Sequence, residues 1–159
     1  MDTTLSLEIV PYNPSLKSAF KSLNIEWITH YFRVEPEDER VLDFPEENIL
    51  ATGGAIFFAL LNGEAVGCCG LLVEDGDVLE LVKMAVQPKH RGLKIGEKLC
   101  KRAIEYAQNQ GAKELYLVSN RKLLPALALY RKMGFVEVPI TACDLALFER
   151  CDIRMNIHF

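Results

Sequence analysis

Apolar residues recur at every third or fourth position through Leu16, Phe20, Leu23, Trp27, Ile28, Tyr31 and Phe32, the stripe of an amphipathic helix. Ahead of it, residues 5–10 alternate well enough for a first strand, and Asn13-Pro14-Ser15 is a turn able to cap a helix start. Pro36 and Pro45 each stand where a short helix can begin, with acids in the first turn, which predicts helices over 36–43 and 45–51. Gly53 and Gly54 close that region. Strands over 55–61 and 65–73 follow, joined by Asn62-Gly63, a two-residue hairpin signal. A turn at 74–77 leads into a strand over 78–86, completing an antiparallel meander. Ile95, Leu99, Ala103 and Ala107 then mark one face of a helix that runs to about 110. Because that helix joins the 78–86 strand to the next one, 114–118, the two strands must be parallel. A helix over 123–133 and strands over 135–138 and about 149–157 complete the chain. The pattern predicts an α+β (mixed α/β) fold in one domain over 1–159: a mixed sheet of about seven strands flanked by about four helices.

Half the residues are hydrophobic and a quarter are charged, the profile of a soluble globular protein. No apolar run approaches the length of a bilayer span, and residues 1–8 lack the basic start and hydrophobic stretch of a signal peptide. The 5 cysteines are odd in number, Cys68 and Cys69 are adjacent, and no C-x-x-C pair occurs. Together with the 3 histidines they give no zinc-like spacing. The expectation is a cytoplasmic protein without metal, disulfide or membrane partner. A net charge of −4 argues against general nucleic-acid binding.

The charges are unevenly placed. Residues 89–102 hold six Lys or Arg and one acid, whereas 35–47 hold seven acids and one Arg. The basic run begins where the 78–86 strand ends and a helix starts, around Gly92 and Gly96. Such a turn aims free backbone N–H groups and the positive end of a helix at one place, an arrangement suited to phosphate. Lys89, His90, Arg91 and Lys94 are best placed to add charge there. Lys98, Lys101 and Arg102 read as a solvated helix face.

Three motifs in this order resemble the GNAT N-acetyltransferase superfamily, and the similarity covers most of the chain. They are E80-L-V-K-M-A-V86, the turn Arg91-x-x-Lys94-x-Gly96, and A126-L-A-L-Y130-R-K-M-G134-F135. The family turn reads Q/R-x-x-G-x-G/A, so Lys94 replaces a glycine; in the first turn of a helix it would keep its N–H toward phosphate with its side chain turned away. The resemblance implies a GNAT-like fold that binds acetyl-CoA as co-substrate and acetylates a primary amine of a small molecule or peptide by direct attack. The cofactor would lie against Met84, Ala85, Val86, Arg91, Gly92, Leu93, Lys94, Ile95, Gly96 and Glu97. Backbone N–H groups of 84–86 would serve the thioester carbonyl.

An alkylamine has a pKa of about 10.4, so at pH 7 roughly one molecule in 10³ is ready to attack, and a general base is needed. Glu80 matches the base of the histone-acetyltransferase branch, and its apolar neighbours would raise its pKa; the alternative is a solvent-facing or ion-paired glutamate. Tyr130 matches the family's general acid, the alternative being a core aromatic packed on Phe135. An asparagine common in the family seven residues before the tyrosine is here Leu123. Asn120, three residues earlier, either bonds the pantetheine arm or caps the following helix, and the cap is favoured.

The acceptor site is expected from 24–50, the 55–61 strand and the C-terminal residues. The acids of 35–47 and the rings of Trp27, Tyr31 and Phe32 would draw and wall a cationic amine, unless they are solvated helix faces and core aromatics, the plainer reading. A catalytically silent CoA-binding sensor or interaction module, and transfer of a longer acyl group, stay open as alternatives. So does the oligomeric state, a homodimer included.

Overall fold

A computed structural model of the chain describes residues 6–90 and 92–159. Arg91 and the first residue of the expected 5–10 strand lie outside the described residues. Seven strands, β1 (Leu7–Pro11), β2 (Ala55–Leu61), β3 (Glu64–Asp75), β4 (Val78–Val86), β5 (Glu114–Ser119), β6 (Val136–Val138) and β7 (Ile153–His158), form one sheet in the order β1-β2-β3-β4-β5-β7-β6. Among the described residues only the β4–β5 pair is parallel.

Helices cover both faces. On one side α1 (Lys17–Tyr31) and α2 (Pro36–Asp43) bury Phe20, Leu23, Ile28, Val41 and Leu42 against Ile56, Phe58, Cys68 and Ala85 of the sheet. On the other side α3 (Ile95–Asn109) and α4 (Leu124–Lys132) bury Leu99, Ala103, Leu127 and Tyr130 against Phe57, Leu71, Leu79 and Leu115. Each large apolar side chain withdrawn this way contributes about 1.5–3 kcal/mol.

Three elements differ from the sequence expectation. The expected 45–51 helix is a single π-helical turn, Glu46–Leu50. The last strand starts at Ile153 rather than 149, which leaves 149–152 as a connector. A further helix, α5 (Ala142–Leu147), stands where none was expected. Its Leu145 and Leu147 are exposed, so it has little apolar stripe to read. It is fixed instead by a capping box in which the Thr141 hydroxyl accepts from the Asp144 N–H and the Asp144 carboxylate accepts from the Thr141 N–H.

Two bulges shape β4 and its partner. Gly70 pairs with Val82 and Cys68 with Ala85, so Lys83 and Met84 together oppose one residue of β3. Lys83 takes a left-handed backbone, φ +54°. Leu79 and Leu81 belong to the α3 side of the sheet, but beyond the bulge it is Met84 and Val86 that pack there. The second bulge falls between Val73 and Asp75 and makes Glu74 the extra residue near Glu80.

Candidate active site

The parallel pair β4–β5 is short. Its register runs Val78↔Glu114, Leu79↔Leu115 and Glu80↔Tyr116 and stops there. Past Glu80 the strands part, because the Lys83 bulge bends β4. A cavity of about 430 Å³ fills the gap, bordered by Glu80–Val86 on one strand and Leu117–Asn120 on the other. The start of α3 and the Tyr130 face of α4 close one end, and Trp27, Tyr31, Phe32, Phe148 and Arg150 close the other.

Gln87 N–H donates to Val66 on β3. N–H directions alternate along a strand, so those of Val86 and Met84 point the opposite way, into the gap that β5 has vacated. Of the three strand residues expected at the cofactor, Met84 and Val86 thus aim their N–H groups into the cavity, and Ala85, which also borders it, packs its side chain toward α1 and α2.

At the turn, Gly92 (φ +96°) and Lys94 (φ +58°) are both left-handed. Lys94 is the residue just before α3, not a member of its first turn as the sequence suggested. The substitution sits where the backbone makes the demand that glycine meets freely. Replacing it, Lys94→Gly, is expected to stabilise the fold by about 0.5–1 kcal/mol, measured as a shift in the urea midpoint at unchanged slope. Gly92, Lys94, Ile95, Gly96 and Glu97 border the cavity, as does His90, whereas Leu93 points outward and is 39% exposed. A methyl group on Gly96 would lie 3.1 Å from Leu129, so this glycine also lets α3 and α4 approach. The Glu97 carboxylate pairs with Lys132 at 3.0 Å. On the supposedly solvated face, Arg102 lies over the Phe57 ring.

Glu80 is 4% exposed. Its carboxylate accepts from the Tyr116 hydroxyl at 3.3 Å. Burial, then the charge of Glu74 and a hydrogen bond shared with it, push its pKa up to about 8 against the pull of Tyr116. Glu74 itself is exposed, so the carboxyl pair connects the cavity to solvent. Tyr130 is 7% exposed and packs edge-on against Phe135, with ring centroids 5.8 Å apart. Its hydroxyl makes no hydrogen bond among the described residues, and burial raises its pKa well above the usual phenol range. Asn120 borders the cavity with its amide already engaged: Nδ2 donates to Arg150 O at 2.6 Å and Oδ1 accepts from Lys122 N. It is not the expected cap, since α4 is preceded by Leu123 with no side-chain cap.

The acidic run is largely consumed by structure. Glu35 and Asp38 form the buried capping box of α2, Glu37 pairs with Arg40, Asp43 with Lys21, and Glu46 accepts from the Tyr12 hydroxyl. These pairings favour the plainer of the two readings of the acidic run, in which its acids serve the fold. The aromatic part of the expectation fares better, because Trp27, Tyr31 and Phe32 do border the cavity. Missed in the sequence were Lys83, Phe148 and Arg150. A lysine amid the apolar run of β4 was the available signal for the first.

The model of the acetyltransferase (GNAT) family matches residues 21–135. An uncharacterised N-acetyltransferase of Escherichia coli K12, YjgM, is 34% identical over 65% of this chain and 63% of its own length. Another curated relative is matched over 46% of its length, so the chain spans less than two thirds of either. A GNAT-family acetyltransferase from Staphylococcus aureus Mu50 superposes with a TM-score of 0.87 at 25% identity, covering 96% of this chain and 99% of that one. The fold of YncA from Salmonella typhimurium, described with its cofactor acetyl-CoA, gives a TM-score of 0.75 at 17% identity, over 96% of this chain and 93% of that one.

Proposed function

This chain belongs to the GNAT acetyltransferase family, and from that premise we propose that it transfers the acetyl group of acetyl-CoA to a primary amine by direct attack within a ternary complex. The observation that carries this reading is the parted β4–β5 pair. One gap has a buried carboxylate on one side, a buried phenol on another, outward backbone N–H groups along its edge and a glycine-containing turn at its mouth. A relative described with acetyl-CoA supports the choice of co-substrate.

In this reading Glu80 removes the ammonium proton, and its raised pKa makes it a stronger base than an ordinary carboxylate. The amine nitrogen bonds to the thioester carbon, and the developing oxyanion takes the N–H groups of Met84 and Val86. The carbon–sulfur bond then breaks, the thiolate leaves beside Tyr130, and the second proton lost by the nitrogen passes to the departing sulfur. A free thiol has a pKa of about 8.5, below that of this phenol, so Tyr130 acts chiefly as a hydrogen-bond donor to the sulfur. Tyr130→Phe is accordingly expected to lower kcat by about tenfold, the worth of one hydrogen bond of about 1.4 kcal/mol, with acetyl-CoA affinity retained. Following CoA release from acetyl-CoA and longer thioesters over an amine panel tests the reading. Release confined to acetyl-CoA and dependent on amine is expected; tight CoA binding without release would make the chain a binding module.

Glu74 supplies a second test. Its charge holds the Glu80 proton on, so Glu74→Gln is expected to move the acidic limb of the kcat/KM profile to lower pH. An unmoved limb would separate the two carboxyls.

A further inference from the structure

The far wall of the cavity is cationic on its inner surface. Arg150, from the connector after α5, lies between two rings, its guanidinium carbon 4.6 Å from the Phe148 centroid and 5.6 Å from that of Trp27. Its Nη1 donates to Asp38 Oδ2 at 2.6 Å and to Glu35 Oε2 at 3.3 Å, and its Nη2 donates to Asp38 Oδ1 at 2.6 Å. That leaves Nε–H and one Nη2 hydrogen without a partner among the described residues. Lys83 donates to Asp38 and lies 4.9 Å from the Phe148 centroid, with two ammonium hydrogens left over. The Lys83 and Arg150 side chains are only 5% and 10% exposed. An acceptor that enters the cavity gains from hydrogens of this kind.

Lys83 and Arg150 border the cavity, whereas Asp38 and Glu35 stand behind them. A molecule in the cavity therefore meets the cations first. Glu37, which also borders the cavity, is taken by Arg40. A guanidinium fork beside an ammonium suits a carboxylate, and the amine-activating carboxyl, Glu80, lies on the same strand as Lys83. An acceptor carrying one ammonium and one carboxylate would add no net charge to a wall whose two cations already balance two anions.

Resting on the acetyl-transfer reading, we propose that the acceptor is an amino acid or similar amine with a carboxylate on the same molecule, the carboxylate held by Arg150 and Lys83 and the amine directed to Glu80. Trp27, Tyr31 and Phe32 enclose its apolar part. The chemistry replaces the cationic acceptor suggested by the acidic run.

The test measures CoA release with matched acceptors: phenylalanine, its amide and phenethylamine, and glycine, β-alanine and 4-aminobutanoate to set the separation of the two groups. A carboxylate acceptor is expected to exceed its matched amide and decarboxylated amine by at least about tenfold in kcat/KM, because the analogues without a carboxylate leave the Arg150 and Lys83 donors unmatched. The difference should lie mainly in KM. Arg150→Gln is expected to reduce that ratio to about unity, and the wild-type panel stands without it if the variant fails to fold. Equal or faster release with the amide and the decarboxylated amine would overturn this proposal and leave acetyl transfer intact. No release with any acceptor would overturn both.

Discussion

Glu80→Gln is expected to lower kcat/KM for acetyl transfer by about 10³-fold, within the range for removing a positioned general base, with acetyl-CoA affinity unchanged. Glutamine keeps the shape of the side chain and can still accept from the Tyr116 hydroxyl, so the loss reports the proton acceptor rather than the packing. The same variant should be more stable than the parent at alkaline pH. In the fold the Glu80 carboxyl keeps its proton to about pH 8, against an ordinary value of 4.5. Between those values the unfolded chain binds fewer protons, so stability falls as pH rises through that window. Glutamine removes the slope, and unfolding midpoints measured from pH 5 to pH 9 should diverge progressively in favour of the variant.

The largest stability effect is expected at Asp38. It is wholly buried and binds Lys83, Arg150 and the Glu35 N–H at once. Burial alone would raise its pKa, yet the hydrogen bonds and charge of Arg150 and Lys83 bring it down to about 2. Asp38→Ala strands two buried cations and opens the α2 cap, at a cost of about 3–5 kcal/mol for the broken ion pairs, read by urea unfolding at pH 7. That is a large share of a typical domain's 5–15 kcal/mol, so Asp38→Asn is the milder form to measure if the alanine variant does not fold. The pH dependence carries the sign: a depressed carboxylate stabilises fully above its ordinary value of 3.8 and loses that contribution as pH falls toward 2. The deficit of either variant should therefore shrink between about pH 4 and pH 2.

Most of the scaffold was legible because apolar spacing is local. The stripe from Leu16 to Phe32 became α1, and the Ile95-Leu99-Ala103 face became α3 packed on β3. Asn62-Gly63 marked its hairpin, with both residues at positive φ. The motif residues Glu80, Gly96 and Tyr130 do border one cavity, although their roles rest on the mutants above. What escaped the sequence depends on contacts far apart along the chain. Arg150 meets Asp38 across 112 positions, and no periodicity announces such a pair. The acids at 35 and 38 look solvated by composition and are buried because α2 folds its start inward over Lys83. In the sequence the bulge at Lys83 leaves only a break in alternation, Leu79 and Leu81 giving way to Met84 and Val86, and the bulge is what parts the two strands. The Thr141-to-Asp144 spacing is a readable cap for α5, but without an apolar face a cap alone does not announce a helix.

The pH profile of kcat/KM for amine-dependent CoA release, taken with an acceptor whose amine titrates well above pH 9, tests the central claim most directly. The account predicts an acidic limb with an apparent pKa near 8, contributed by Glu80, which disappears in Glu80→Gln. The same limb persisting in that variant would contradict it.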